Sequence, residues 1–414
     1  MPSGGGIFQK TVSVFSGRKS HDIFEAVAEI SRIIKAGLNH IFIDGDEIGN
    51  GCKDISLAER YLCLCDTVGL EAYVQKGNDV SVQELMEKAD VLRRHKSFCG
   101  VLVFDEPAAD MFGELGEERS RFFQGGALGD FFVNLYPSYA RSEWIIHNYG
   151  AYVRSFAETL VRSGGTKDWL SFDHYPLMYE QDHTFGLSDH WLSDTQTVAE
   201  TGKAFGLRTN AFVQTMPFSA NGDAFGSRDR IPSPADLQLQ AYTYLAFGFA
   251  GITYFCVGTP IPNFEFLERH YAMFDRSGRP TPLYDAVKGL NGEINCFAHE
   301  YAAMKREGTY LIRKEESAPT RCFADQKPFS STEKIRSVSA DGNVLFGHFS
   351  ENGCEALVPV NFGETTRERI KLCSVRFNGR RTYTLWQRGI CTRGQEEELT
   401  IRLEPGEGVF IRIG

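Results

Sequence analysis

The segment FCGVLVFDEPAAD, Phe98 to Asp110, is uncharged and apolar until it delivers two adjacent carboxylates and a proline. A carboxyl at the rim of an apolar element loses solvation, so its pKa rises and it can hold and give up a proton near neutral pH. Asp105 and Glu106 are therefore the first candidates for general acid and base work. On a strand they would point in opposite directions, so one acts and the other supports unless the chain bends into its loop. The same pair would also suit the start of a helix, or an ion pair with Arg93 or Arg94. What surrounds the pair decides between these readings.

Stepping outward along the chain, short β-rich runs alternate with longer stretches of helical period, the pattern of repeated βα units and a parallel sheet. Eight strands are expected: TVSVFSG from Thr11, HIFIDGDEI from His40, EAYVQKG from Glu71, CGVLVFDEP from Cys99, DFFVNLYPSY from Asp130, WLSFDHYPL from Trp169, RTNAFVQTMPF from Arg208 and GITYFCVGTP from Gly251. Between the first two, SHDIFEAVAEISRIIKAG sets Ile23, Ala26, Ile30 and Ile33 on one helical face. Eight such units fit a closed (β/α)8 barrel better than an open doubly wound sheet. The first strand-to-helix turn, FSGRKSHD, lacks the glycines of a dinucleotide-binding turn, and no Walker-type loop occurs. From about Thr309 the strands become short and alternating: NVLFGHFS, EALVPVNFG, RIKLCSV, RTYTLWQ, ELTIRL and GVFIRIG. The expected organisation is a barrel over residues 1–308 followed by a small all-β sandwich over 309–414.

In a barrel of this kind the C-terminal strand ends face the mouth where chemistry occurs. The second strand brings Asp44, Asp46 and Glu47 there, the third Gln75 and Lys76, the fourth Asp105 and Glu106. The fifth brings Asn134, Tyr136 and Tyr139; the sixth Asp173, His174 and Tyr175; the seventh Gln214 and Thr215; the eighth Tyr254, Cys256 and Thr259. Such a mouth is rich in carboxylates and aromatics. Tyr254, Trp191, Phe225 and Phe264 are candidates for stacking on the apolar face of a ring, and His174 and Tyr175 for hydrogen bonds to hydroxyls. Cys256 would be a nucleophile only beside a base, and no Cys/His motif accompanies it.

Composition excludes several classes. The net charge of −10 disfavours a nucleic-acid partner, and no apolar run reaches the roughly 18 residues of a membrane span. The ten cysteines are scattered; Cys63 and Cys65 form a lone CxC on an apolar helical stretch, so buried free thiols are expected and no metal site. The opening MPSGGGIFQK does not read as a signal peptide. The expectation is a cytoplasmic protein, or a secreted one whose signal peptide has been removed. A homo-oligomer is allowed by the composition but not specified.

The ordered set GVLVFDEP, FFVNLYPSY, LSFDHYP, QAYTYLAFGFAGITYFCVGTP and DRSGRPTPLYDAVKGLNGEI, closed by LEPGEGVFIRIG, resembles the glycoside hydrolases of the (β/α)8 superfamily, close to the clan A group that includes the β-galactosidases. The likeness runs from about Thr11 to the end of the chain. It implies an exo-acting hydrolase of a carbohydrate substrate, without metal or organic cofactor. It also assigns Glu106, at the fourth strand, the acid/base role, and Asp105 a contact with the sugar. The clan's nucleophile ends strand seven, where this chain has Gln214 in AFVQTMPF; the next carboxylate downstream is Asp223. Asp173 on the sixth strand is the favoured second carboxyl, a strand-four and strand-six pair like that of the α-galactosidase-like clans. Asp46 or Glu47 could lean over instead, or Asp105 and Glu106 could act as the pair of a substrate-assisted hexosaminidase. Asn134, Tyr136, His174, Tyr175, Gln214, Tyr254 and Cys256 complete the expected sugar-binding set. The missing strand-seven glutamate also permits an inactive carbohydrate-binding barrel.

Overall fold

The computed structural model describes residues 9–14, 23–43, 55–76, 80–126, 129–164, 169–179, 184–217, 219, 230–263 and 265–414. Its first part is the expected barrel. The strands are β1 (Gln9–Val14), β2 (His40–Ile43), β3 (Glu71–Gln75), β4 (Phe98–Asp105), β5 (Asp130–Leu135), β6 (Trp169–Asp173), β9 (Arg208–Gln214) and β10 (Gly251–Phe255). They pair in parallel and close, because β1 joins both β10 and β2. A short antiparallel hairpin, β7 (Leu177–Tyr179) with β8 (Phe185–Leu187), follows the sixth barrel strand and was not foreseen in the sequence.

Helices α1 (Ile23–Lys35), α2 (Ile55–Val68), α3 (Val82–Glu87), α4 (Ala89–Leu92), α5 (Phe112–Gln124), α6 (Tyr149–Arg162), α7 (Trp191–Phe205), α8 (Pro234–Ala246), α9 (Pro282–Asn295) and α10 (Ala298–Ala302) connect the strands and lead out of the barrel. Their starts follow local chemistry. Ser81 and Ser233 each form a reciprocal capping box with the acid three residues on, and Asn148 caps α6 through the Ala151 amide. Among the described residues no helix is long and apolar enough to cross a membrane. The nine described cysteines are free thiols.

Alternation along each strand sorts side chains between two cores. Outward residues such as Ile41, Val74, Val101, Val133, Phe172 and Val213 pack under the helices. Inward, Phe42, Tyr73, Leu102, Phe132, Trp169 and Phe212 form a separate cluster that plugs the lumen. The barrel is therefore a crater with a closed floor.

The β4 strand carries an irregularity that bears on the site. Leu102 pairs with Phe132, but Phe104 pairs with Val133 and Asp105 with Asn134, so one extra residue is accommodated between Leu102 and Phe104. Such a bulge inverts the alternation beyond it. Phe104 goes outward beside Met111 and Leu115, and Asp105 shares the inward row of Asn134. Just below, β4 and β5 approach so closely that a Cβ on Gly100 would lie 2.4 Å from the Asp130 carbonyl oxygen.

The second part is one antiparallel sheet of seven strands: β11 (Lys305–Ile312), β12 (Ile335–Ala340), β13 (Val344–Glu351), β14 (Cys354–Asn361), β15 (Lys371–Gln387), β16 (Ile390–Leu403) and β17 (Phe410–Ile413). RIKLCSV and RTYTLWQ, expected as two strands, are one long strand whose register breaks between Arg376 and Arg381, around the left-handed Gly379. The sheet has its own core, including Val344, Phe346, Leu357, Val375, Leu403 and Ile411. Its other face lies on α8: a Cβ on Gly347 would sit 2.2 Å from the Ala246 carbonyl oxygen.

Candidate active site

Two local devices aim Asp105 and Glu106 at the same space. The bulge turns Asp105 inward, and Glu106, one residue beyond the strand, adopts φ 54°, a left-handed conformation uncommon outside glycine. Its amide still donates to the Asn134 carbonyl at 2.8 Å, so the bend is anchored. Tyr152 of α6 pins the surroundings: its hydroxyl donates to the Pro107 carbonyl at 2.7 Å and accepts from the Tyr136 amide at 3.3 Å. The opposition expected of neighbouring carboxyls is thus removed by backbone geometry.

Asp173 arrives from β6, where Trp169, Ser171 and Asp173 alternate inward. It is 8% exposed, and its Oδ1 has no hydrogen-bond partner among the described residues. Its carboxyl lies within hydrogen-bonding reach of Glu106 and of Asn134. The Asn134 amide also donates to Asp105 Oδ1 at 3.1 Å. Three carboxyls from two strands therefore meet around one asparagine.

Electrostatics follow from this crowding. Desolvation is the main cause that raises Glu106, with the charges of Asp173 and Asp105, the contact with Asp173 and the charge of Glu265 adding to it. Desolvation also leads for Asp173, reinforced by Asp105 and opposed by hydrogen bonds from Glu106 and Asn134. Asp105 is raised too, by desolvation, with Asn134 opposing. Asp105 is exposed at the mouth, Glu106 is half-buried and Asp173 is buried, so of the three carboxyls Asp105 keeps the most contact with solvent. Two carboxyls in contact share a proton rather than ionise together, and Glu106 and Asp173 are such a pair.

The remaining expected residues divide clearly. Tyr136, half-buried, faces the trio; desolvation and then the Glu106, Asp105 and Asp173 charges push its hydroxyl up to about 12. It stacks on Trp144 at 5.2 Å. Tyr175 also lines the crater, against Phe255 at 5.7 Å. By contrast, His174 is fully buried with Nδ1 on Asp194 and Nε2 on Ser188, both at 2.7 Å, and it secures the loop after β6. Gln214 is also buried: its Oε1 accepts from the Leu177 amide at 3.0 Å, so the seventh strand end holds the loop that follows Asp173. Tyr254 points outward, donating to Asn291 of α9 at 2.8 Å, and Trp191 packs in the helix layer against Tyr244. Cys256 is buried with Sγ 3.2 Å from the Gly258 carbonyl. Lys76 turns to the Val80 carbonyl. Asp44, Asp46, Glu47, Asp223, Phe225 and Phe264 lie outside the described residues. Among the described residues no group of three His, Cys, Asp or Glu is arranged to hold a metal ion.

Two contributors escaped the sequence reading. Trp144 lies nine residues beyond β5, and Glu265 ten beyond β10, both in loops with no periodic signal. The backbone carbonyl of Glu265 accepts from the Ser219 amide at 2.7 Å, and the neighbouring Phe266 packs with Tyr175, Phe255, Met216 and Cys256. Glu265 therefore sits on the rim, and its charge is felt at Glu106.

No protein-family model and no curated protein sequence matches the chain. Solved structures do. A variant of the family 27 glycoside hydrolase β-L-arabinopyranosidase from Geobacillus stearothermophilus, solved with arabinose, is 9% identical with a TM-score of 0.51 over 99% of this chain and 97% of that one. The family 51 arabinofuranosidase from Xanthomonas axonopodis pv. citri is 9% identical, with a TM-score of 0.48 over 99% and 93%. The β-galactosidase from Marinomonas ef1 is 11% identical, with a TM-score of 0.47 over 72% of this chain and 62% of that one. At such identities the likeness is one of architecture: the chain shares the barrel and following β domain of the family 27 enzyme.

Proposed function

We propose that the protein is a glycoside hydrolase in which Glu106 is the general acid and Asp173 the second carboxyl, with Asp105 and Asn134 holding the sugar. The observation that carries the reading is that Glu106 and Asp173 come within hydrogen-bonding reach of each other at the barrel mouth. Glycoside hydrolysis places its carboxyls about 5–5.5 Å apart for retention or about 6.5–9.5 Å for inversion. A direct contact is shorter than either, so a sugar entering the crater parts the pair. Glu106 keeps the proton and gives it to the glycosidic oxygen as the C–O bond breaks. Asp173, left as the carboxylate, faces the anomeric carbon as nucleophile or as base for water. Tyr136, Trp144 and Tyr175 offer rings to the sugar face. The closed floor admits a chain end from one side, which suits the exo-acting, β-galactosidase-like action implied by the sequence resemblance.

A second reading, a carbohydrate-binding barrel without turnover, is favoured by one observation: the seventh strand ends in a buried amide that is engaged with backbone. A panel of nitrophenyl glycosides tests the two. Release of phenol that is lost in Glu106→Gln supports the hydrolase; a sugar that raises the melting temperature without any turnover supports the binder.

A further inference from the structure

The inward row that contains Asp105 continues around the barrel as polar residues, where such barrels ordinarily carry bulky aliphatic layers. Asn134 Nδ2 donates to Asp105 Oδ1 at 3.1 Å, Ser171 Oγ donates to Asn134 Oδ1 at 2.9 Å, Asn210 Nδ2 donates to Ser171 Oγ at 3.0 Å, and Thr253 Oγ1 donates to Asn210 Oδ1 at 3.2 Å. Asp105, Asn134, Ser171 and Asn210 are mutually in register on β4, β5, β6 and β9. The register partner of Asn210 on β10 is Gly251, without a side chain, and Asn210 reaches diagonally to Thr253. Asn134, Ser171, Asn210 and Thr253 are each no more than 1% exposed.

The direction of this chain is dictated from one end. An ionised Asp105 only accepts, which turns the Asn134 amino group toward it. The Asn134 oxygen then requires a donor, which is the single Ser171 proton. Ser171 must in turn accept from the Asn210 amino group, and the Asn210 oxygen from the Thr253 hydroxyl. Four hydrogen bonds thus point the same way, and aligned bonds in a dry interior polarise one another.

We propose that Ser171, Asn210 and Thr253 are positioning residues, a one-way hydrogen-bond relay that acts through Asn134 to keep Asp105 oriented and ionised. The shared proton of the mouth then stays with Glu106 and Asp173. The relay deepens the hydrolase reading, since it assigns Asp105 the role of a fixed anion, but its test does not depend on turnover. Among the described residues, the other titratable groups facing Asp105 are Glu106 just beyond its own strand, Tyr136 after β5, Asp173 at the end of β6 and Tyr175 after it, with Glu265 after β10 facing Glu106.

The test follows the Asp105 carboxyl by carbon NMR in aspartate-labelled protein, its resonance assigned by difference from Asp105→Asn, with no substrate present. Ser171→Ala removes the donor to Asn134 and is expected to raise the Asp105 midpoint by about one pH unit, the size of one hydrogen bond in a charge-assisted chain. Thr253→Val, the same shape without the donor, should shift it in the same direction by less, and Thr253→Ser should restore it. If a glycoside is found to be cleaved, the acid limb of kcat/KM should move with the NMR midpoint. Unchanged Asp105 midpoints in folded Ser171→Ala and Thr253→Val would overturn the relay. If Ser171→Ala fails to fold, the Thr253→Val and Thr253→Ser pair decides alone. Absence of turnover on every glycoside, with the midpoints shifted as stated, would sink the hydrolase reading and leave the relay standing.

Discussion

Asp173 and Glu106 carry consequences that differ in sign with pH. Glu106→Gln keeps shape but removes the proton, and general acid catalysis of this kind is worth roughly a hundredfold to ten-thousandfold. The loss in kcat should be largest for natural disaccharides and smallest for aryl glycosides with activated phenols, which need little protonation. Asp173→Asn should slow both substrate types alike, because a nucleophile or base is required whatever leaves. Stability gives an independent check. Glu106 and Asp173 are raised in the folded protein, so the native state binds more protons than the unfolded chain above the ordinary carboxylate range near pH 4. Their contribution is fully present below that range and is lost as pH rises through the raised midpoints. Asp173→Asn should therefore flatten the fall in melting temperature with rising pH and leave the variant more stable than the parent at alkaline pH.

At the scale of elements, the β4 bulge and the buried amide at the end of β9 do what no single side chain could. Deleting Val103 should remove the extra residue and leave Leu102, Phe104 and Asp105 in regular pairing with Phe132, Val133 and Asn134, so that Asp105 stays in the inward row. The expected outcome is a retained circular dichroism spectrum with sugar-induced stabilisation also retained. Gln214 is the tether for the loop after Asp173. Gln214→Leu strips the Leu177 amide of its acceptor in a dry site and should cost about 1–3 kcal/mol in urea unfolding. Most strands were legible because continuous apolar runs bounded by turns have few alternatives. The bulge was not, since the FDEP segment alone carries no record of which β5 residue it will face. Tyr254 could have been placed outward from period-two alternation with the inward Thr253 and Phe255; proximity to a strand end outweighed that pattern in the sequence reading.

For the molecule as a whole, the barrel and the β domain behave as one packed body. Arg230 is buried between Asp236 of α8, at 2.5 Å, and Glu364 beyond β14, at 2.9 Å; Thr365 donates to Asp236 at 2.6 Å. Arg230→Met would leave two carboxylates buried without their cation and should cost about 3–5 kcal/mol. A single unfolding transition, shifted as a unit, is the expected observation. The second domain contributes no side chain to the carboxyl trio, so alanines beyond about Lys314 should alter stability and leave chemistry in place.

What the sequence determined by itself was the succession of βα units, the change to an all-β region and the carboxylates at strand ends, because period, turn residues and apolar runs are local properties. What only the tertiary structure decided was which of those strand-end residues meet. Glu106 and Asp173 are far apart in the chain and touch because the barrel closes with a given stagger. His174, Gln214 and Tyr254 carry groups of equal chemical promise, yet packing against α7, the loop after β6 and α9 consumes them. Long-range register and burial set those outcomes, and neither is written in any short segment.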